Sequence, residues 1–201
     1  MSFEIIVITP ETDFLKETKV ICRLFEVGLK TLHLRKSNAS LNELRNYIQH
    51  IPKQFHKKIV IHSHYELAKE FNLKGIHLSE KAKKLKFRNN HLKIVSASFH
   101  STKDILKNRR KYEYVLLSPV FDSISKYRYK SNFTSDELTV FLKKTKQHVV
   151  ALGGIDDKNI KEVKQLNFSG AAALGFIWES KKPVESYKKL VSKSSKPFCR
   201  L

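Results

Sequence analysis

Val149–Ile155 reads VVALGGI, and the next apolar run, Gly170–Ile177, reads GAAALGFI. Each is a short run of strand type. The first closes on the pair Gly153-Gly154, the second carries Gly175, and after each the chain turns polar and helix-like. A strand, a glycine turn and a helix start expose backbone N–H groups to an anion, and the helix dipole favours negative charge at that end. Two such turns in succession mark an anion site, provided the strands before them are parallel and alternate with helices.

The remaining chain supplies that alternation. Strands are expected at Glu4–Ile8, Lys30–Arg35, Lys58–His62, Gly75–Ser79, Lys93–Ser98 and Tyr112–Leu117, ahead of His148–Leu152 and Gly170–Leu174. Helices are expected at Asp13–Val27, after the capping box Ser40/Glu43, at Glu66–Phe71, Ser101–Arg110, after Thr134/Glu137, at Asp157–Leu166 and Val184–Val191. Glu80–Leu92 is basic and weakly patterned, and Ser118–Phe133 is a long polar loop, of a length usually tied to function. Eight strands alternating with helices fit an α/β single-domain (β/α)8 TIM barrel over residues 1–191, with a tail at 192–201. A doubly wound sheet would want a glycine-rich fingerprint after the first strand, where TPETD stands instead. In a barrel the chemistry sits at the C-terminal ends of the strands, with a phosphate site after strands seven and eight.

Composition narrows the partners. The chain has 201 residues and a net charge of +20. Such a surplus suits polyphosphates. The lysines, however, occur in every expected helix and loop, with no RNP-type aromatic motif and no helix-turn-helix signature. That argues against a nucleic acid and for steering of small phosphorylated substrates. Cys22 and Cys199 are too few for a disulfide framework or a metal site. No apolar run is long enough to span a membrane, and the start, Met-Ser-Phe-Glu, has no signal-peptide pattern, so a cytoplasmic protein is expected. Oligomeric state, a homo-oligomer included, stays open.

The residues at the expected barrel mouth carry the chemistry. Arg35 offers a planar fork for a phosphate or carboxylate. His62 and His64 bracket Ser63; on an extended segment both imidazoles would face one way and could share a metal, but with no carboxylate or third histidine nearby in sequence, hydrogen-bonded or solvated histidines are the preferred reading. His77, inside a strand, reads as a packed core histidine. Ser98 and His100 end the fifth strand and suit anion binding or proton transfer. In SPVFDSISKYRYK (118–130), Ser123, Ser125 and Lys126 form a local match to a diphosphate. Gly153, Gly154 and Gly175 are the candidate phosphate cradle.

Together these segments resemble the thiamine-phosphate synthase/thiazole tautomerase family, over residues 4–180. EYVLLSPVFDSISK (113–126) is similar to that family's DYVxxGPVFxTxTK, and VVALGGI to VxAIGGI. GIHLS (75–79) is similar to GVHLG, and HLR (33–35) to QLR. The resemblance implies a transferase that joins hydroxymethylpyrimidine diphosphate to hydroxyethylthiazole phosphate with the help of Mg²⁺. It implies that Arg35, Ser98 and Lys126 hold the diphosphate, and that Ser123, Ser125, Gly154 and Gly175, with the Ile177 backbone, hold the thiazole phosphate. Departures concentrate on the diphosphate half. The family's Asn-Asp pair is His62-Ser63 here, its second Mg²⁺ aspartate is Ala82, and its glutamine is His33. Its lysine two residues after the arginine is Ser37, with Lys36 shifted by one; Ser118 replaces a glycine, and Pro119 stands where the tautomerase branch has its histidine. No residue is therefore assigned to a metal. The alternatives are a diverged tautomerase-like enzyme using His62, His64 or His100 for acid/base work, and a non-catalytic binder of a phosphorylated thiazole or pyrimidine.

Overall fold

A computed structural model describes residues 3–12, 16–84, 93–122 and 133–195. Eight strands alternate with helices: β1 (Glu4–Ile8), α1 (Glu17–Glu26), β2 (Leu32–Leu34), α2 (Leu41–Gln49), β3 (Ile59–Ile61), α3 (Glu66–Glu70), β4 (Gly75–Leu78) and β5 (Ile94–Phe99). There follow α4 (Thr102–Lys107), β6 (Tyr114–Leu117), α5 (Ser135–Lys144), β7 (Val149–Leu152), α6 (Ile160–Gln165), β8 (Gly170–Ala173), α7 (Gly175–Trp178) and α8 (Pro183–Ser195). Each strand pairs in parallel with the next, and β1 pairs with β8 to close the barrel. The expected (β/α)8 architecture is the observed one.

Strand alternation produces two layers, because successive side chains point to opposite faces. Ile6, Ile8, Val60, Val95, Leu116, Val150 and Ala172 fill the barrel interior. Leu32, Leu34, Ile59, Ile61, Ile76 and Leu78 belong to the larger outer layer, between strands and helices, with Ile21, Leu24, Leu44, Ile48 and Leu67. Each fully buried Leu or Ile contributes about 1.5–3 kcal/mol relative to exposure, so the outer layer is the main source of stability. The capping boxes Ser40/Glu43 and Thr134/Glu137 are both formed and start α2 and α5 where the sequence places them.

Three elements differ from expectation. Gly175–Trp178, beyond the expected end of the eighth strand at Leu174 and given no helix of its own, forms α7, whose Trp178 Nε1–H donates to the Ile8 carbonyl at 2.8 Å and ties this turn to the end of β1. Helix α8 continues to Ser195, past the expected end at Val191. Lys53–Lys58 forms a 3-10 turn with buried Phe55 and His56. Among the described residues no helix is long and apolar enough to cross a membrane.

Candidate active site

The C-terminal ends of β6 and β7 interlock. Val120 N–H donates to Leu152 O at 2.9 Å and Phe121 N–H to Gly153 O at 3.2 Å. Gly153 and Gly154 have φ of +96° and +65°. A Cβ on Gly153 would lie 2.8 Å from Pro119 Cα, and one on Gly154 would lie 2.3 Å from Asp122 O. The pair is therefore glycine for two reasons, left-handed backbone and contact with the 118–122 segment. Beyond it Asn159 closes the turn: its Nδ2 donates to Gly154 O at 2.7 Å, and its Oδ1 accepts from Asp156 N–H at 3.0 Å. Among the described residues no acceptor takes the N–H groups of Gly154, Gly175 or Phe176. Those donors stand at the ends of adjacent strands, half-exposed, as an anion cradle requires. Ile177, in contrast, is fully buried and its N–H is bound to Leu174 O at 3.0 Å. The Ile177 N–H, expected as a backbone contact to a phosphate, is thus already engaged at the start of α7.

At the ends of β1 and β2, next round the barrel from β8, Thr9 and Arg35 lock the two strands together. Arg35 N–H donates to Thr9 Oγ1 at 2.9 Å, and that hydroxyl donates to Arg35 O at 3.2 Å. The guanidinium stays half-exposed and pairs with Glu11 at 2.8 Å. Lys36 points the other way: its ammonium is 3% exposed, bonded to Glu17 at 2.9 Å and to Thr12 O at 3.1 Å. It braces α1 and does not take the place of the family lysine.

The inner wall of β2–β6 is polar where the rest of the interior is apolar. His33 Nδ1 and His62 Nε2 share a hydrogen bond of 2.9 Å, and His33 Nε2 lies 2.5 Å from the Tyr114 hydroxyl. His77 Nδ1 lies 2.8 Å from Ser96 Oγ and its Nε2 2.8 Å from Ser98 Oγ. The rings of His62 and His77 stack with centroids 4.3 Å apart. A register shift between β4 and β5 at Ile76/His77 sets His77 opposite Ser96, bulge-like local geometry that re-aims side chains. Burial, then the neighbouring His77 and Lys74, holds the His33 imidazolium well below the usual histidine range. Burial, then His77, His33 and Arg35, does the same for His62. His77 is pushed down to about 3 by burial, with Arg35 and Lys83 adding to it. All three are neutral at pH 7, and burial raises the Tyr114 phenol, which stays protonated.

His62 and His64 do not share a face. His64 adopts φ +49°, which ends the strand alternation, and its Nε2–H donates to Ala39 O at 2.9 Å. Ser63 Oγ bonds Lys36 O at 3.4 Å. His100 Nδ1–H donates to Ser118 O at 2.8 Å and is exposed, so Ser98 and His100 form no nucleophile–base pair; Ser98 belongs to His77. His77, expected as a packed core histidine, is buried as expected, with both ring nitrogens hydrogen-bonded at the centre of the wall. The signal was present in the alternation: His33, His62 and His77 each occupy the inward phase of a strand whose outward phase is Leu or Ile. Ser123, Ser125 and Lys126 lie outside the described residues.

The resemblance implies Mg²⁺, which prefers oxygen ligands and usually one or two carboxylates. The described inner wall of β2–β4 presents imidazoles instead. Ala82 is buried in the outer core, Glu80 is paired with Lys83 at 2.9 Å, and Glu11 with Arg35. This donor set does not fit Mg²⁺.

Comparison with known proteins gives the same assignment as the motifs. A family model described as thiamine monophosphate synthase matches residues 5–177. The thiamine-phosphate synthase of Latilactobacillus sakei is 25% identical over 150 residues, 72% of this chain and 67% of that protein. That of Dictyoglomus turgidum is 22% identical over 183 residues, 88% of this chain and 82% of that protein. Among solved structures, the thiamine phosphate pyrophosphorylase of Bacteroides thetaiotaomicron is 32% identical with a TM-score of 0.82, covering 96% of this chain and 98% of that one. The Pyrococcus furiosus protein of the same description, at 20% identity and a TM-score of 0.77, shares the fold. Matched from β1 to α7 over residues 5–177, the chain belongs to the thiamine monophosphate synthase family.

Proposed function

We propose that this chain is a thiamine-phosphate synthase-type transferase, joining hydroxymethylpyrimidine diphosphate to hydroxyethylthiazole phosphate and releasing diphosphate. The observation that carries the proposal is the cradle at the ends of β7 and β8: N–H groups of Gly154, Gly175 and Phe176 that no acceptor among the described residues takes, with the Gly153-Gly154 turn packed against the docked 118–122 segment. It is suited to a phosphate monoester, the fixed end of the thiazole substrate.

In the reaction the bond from the pyrimidine methylene to the diphosphate oxygen breaks, and its electron pair leaves with diphosphate. The thiazole nitrogen then donates its lone pair to the methylene cation, forming the new C–N bond. Charge develops on the leaving diphosphate, so donors placed there accelerate the step. Arg35 and Ser98, with Lys126 from the β6–α5 segment, take that role. Glu11 holds the Arg35 fork near the mouth until the diphosphate competes for it. The role of Mg²⁺ in the family is not carried over, since the donors of the wall do not fit that ion.

The test is turnover of both substrates by the wild-type chain and by Arg35→Ala. Loss of one such donor is expected to lower kcat/KM by about 100-fold. Turnover of a thiazole carboxylate phosphate alone, without coupling, would place the chain with the tautomerases and overturn the proposal. Thermal stabilisation by thiazole phosphate with no turnover would make it a binder and overturn it equally.

A further inference from the structure

The transferase chemistry above leaves unused the most unusual feature of the barrel, the imidazole cluster on its inner wall. One ring nitrogen from each of His33, His62 and His77 lies within 4.8 Å of the other two. Three nitrogens bound to one ion at about 2.0–2.1 Å stand roughly 3–3.5 Å apart. His33 Nδ1 and His62 Nε2, at 2.9 Å, are already at that spacing. The stacked His62 and His77 rings bring the third ligand alongside.

We propose that His33, His62 and His77 form a three-nitrogen site for a borderline divalent metal ion of the zinc, cobalt or nickel class. The outer contacts fit. Histidines that bind metals commonly pass their other ring N–H to a fixed oxygen, which sets the tautomer. Tyr114 hydroxyl serves His33 Nε2, and Ser96 Oγ serves His77 Nδ1. That leaves His33 Nδ1 and His62 Nε2 to supply lone pairs, with His77 Nε2 as the third once the Ser98 hydroxyl, which bonds it at 2.8 Å, gives way to the ion. Without an ion, two ring nitrogens 2.9 Å apart need a proton between them, and the cluster places three polar rings in an interior otherwise filled by Ile, Val and Leu. Imidazole is a preferred ligand of zinc, cobalt and nickel and a poor one for magnesium.

Three protein ligands leave a coordination position open. His62 is the one ligand of the three that is not buried, so the open position faces the mouth, beside Arg35. An oxygen of a phosphorylated substrate is the chemical class that fits it. This last clause rests on the transferase proposal; metal binding itself does not.

The experiment is metal binding by the full chain, stripped with chelator and free of substrate. Cobalt(II) is titrated and read by its visible d–d absorption, and zinc is measured by equilibrium dialysis with elemental analysis. The expected result is one ion per chain, with affinity reduced at least tenfold in His62→Ala and His62→Gln. Tyr114→Phe is expected to weaken binding by about tenfold. His64→Ala and His100→Ala, whose imidazoles bond Ala39 O and Ser118 O, are expected to bind as wild type. His62 lies at the rim, and circular dichroism with thermal unfolding verifies that its variants fold. No ion bound by folded wild type at micromolar free metal overturns the proposal. So does wild-type affinity in both His62 variants, which would assign the ion to surface histidines.

Discussion

Gly154 and Gly28 both hold positive φ, at +65° and +101°, but only Gly154 has a neighbour in the way of a side chain, Asp122 O at 2.3 Å. Gly28→Ala is therefore expected to cost about 1 kcal/mol, the backbone penalty alone, and Gly154→Ala distinctly more, with weaker binding of thiazole phosphate. Urea denaturation and calorimetry measure both. Lys36 gives a second residue-level test. Its buried ion pair with Glu17 should make Lys36→Met destabilising by about 3–5 kcal/mol, because a carboxylate is left buried without its cation. A third concerns Asp157, whose bonds to Lys189 and Lys193 hold its carboxyl down to about 2. That lies below the ordinary aspartate value of about 3.9. The stabilisation is therefore present in full above about pH 4 and is lost as the pH falls through about 2. Because the two lysines are 56% and 36% exposed, solvent screening limits it to about 1 kcal/mol. Asp157→Asn should lose that much at pH 7, the difference narrowing as the pH drops towards 2. At this scale sequence reading worked where a residue's role follows from its local run, as at Gly153-Gly154. It could not name the partners of Lys36 and His64, which lie 19 and 25 residues away.

Among the elements, the strands and most helices were legible because each has its own pattern: β-branched runs, capping boxes, an outward Leu/Ile phase. Helix α7 was not, since four residues of GFIW carry no cap and no period, and what fixes them is the long-range bond from Trp178 to Ile8 O. Trp178→Phe removes that bond and leaves a buried carbonyl unpaired, at a cost of about 1–3 kcal/mol. If α7 orients the Gly175 and Phe176 donors, the same variant should also raise the dissociation constant for thiazole phosphate, measured by titration calorimetry. The histidine wall was legible strand by strand but not as a cluster. Convergence of His33, His62 and His77 depends on barrel closure and on the register shift at Ile76/His77, neither of which a single strand encodes.

For the whole molecule, the barrel carries glycine turns after β7 and β8 and a cluster of imidazoles on the inner wall of β2–β4. The charge of +20, spread over the surface, suits steering of small anions. Accordingly kcat/KM for the phosphorylated substrates should fall as salt is raised from low to physiological ionic strength, while kcat changes little. The central claim, that this barrel couples a pyrimidine diphosphate to a thiazole phosphate, is tested most directly by product analysis with purified wild-type chain and both substrates, at saturation and with divalent metals supplied. Thiamine phosphate and diphosphate appearing in equal amounts is the result expected. Folded protein that leaves both substrates unconsumed would contradict it.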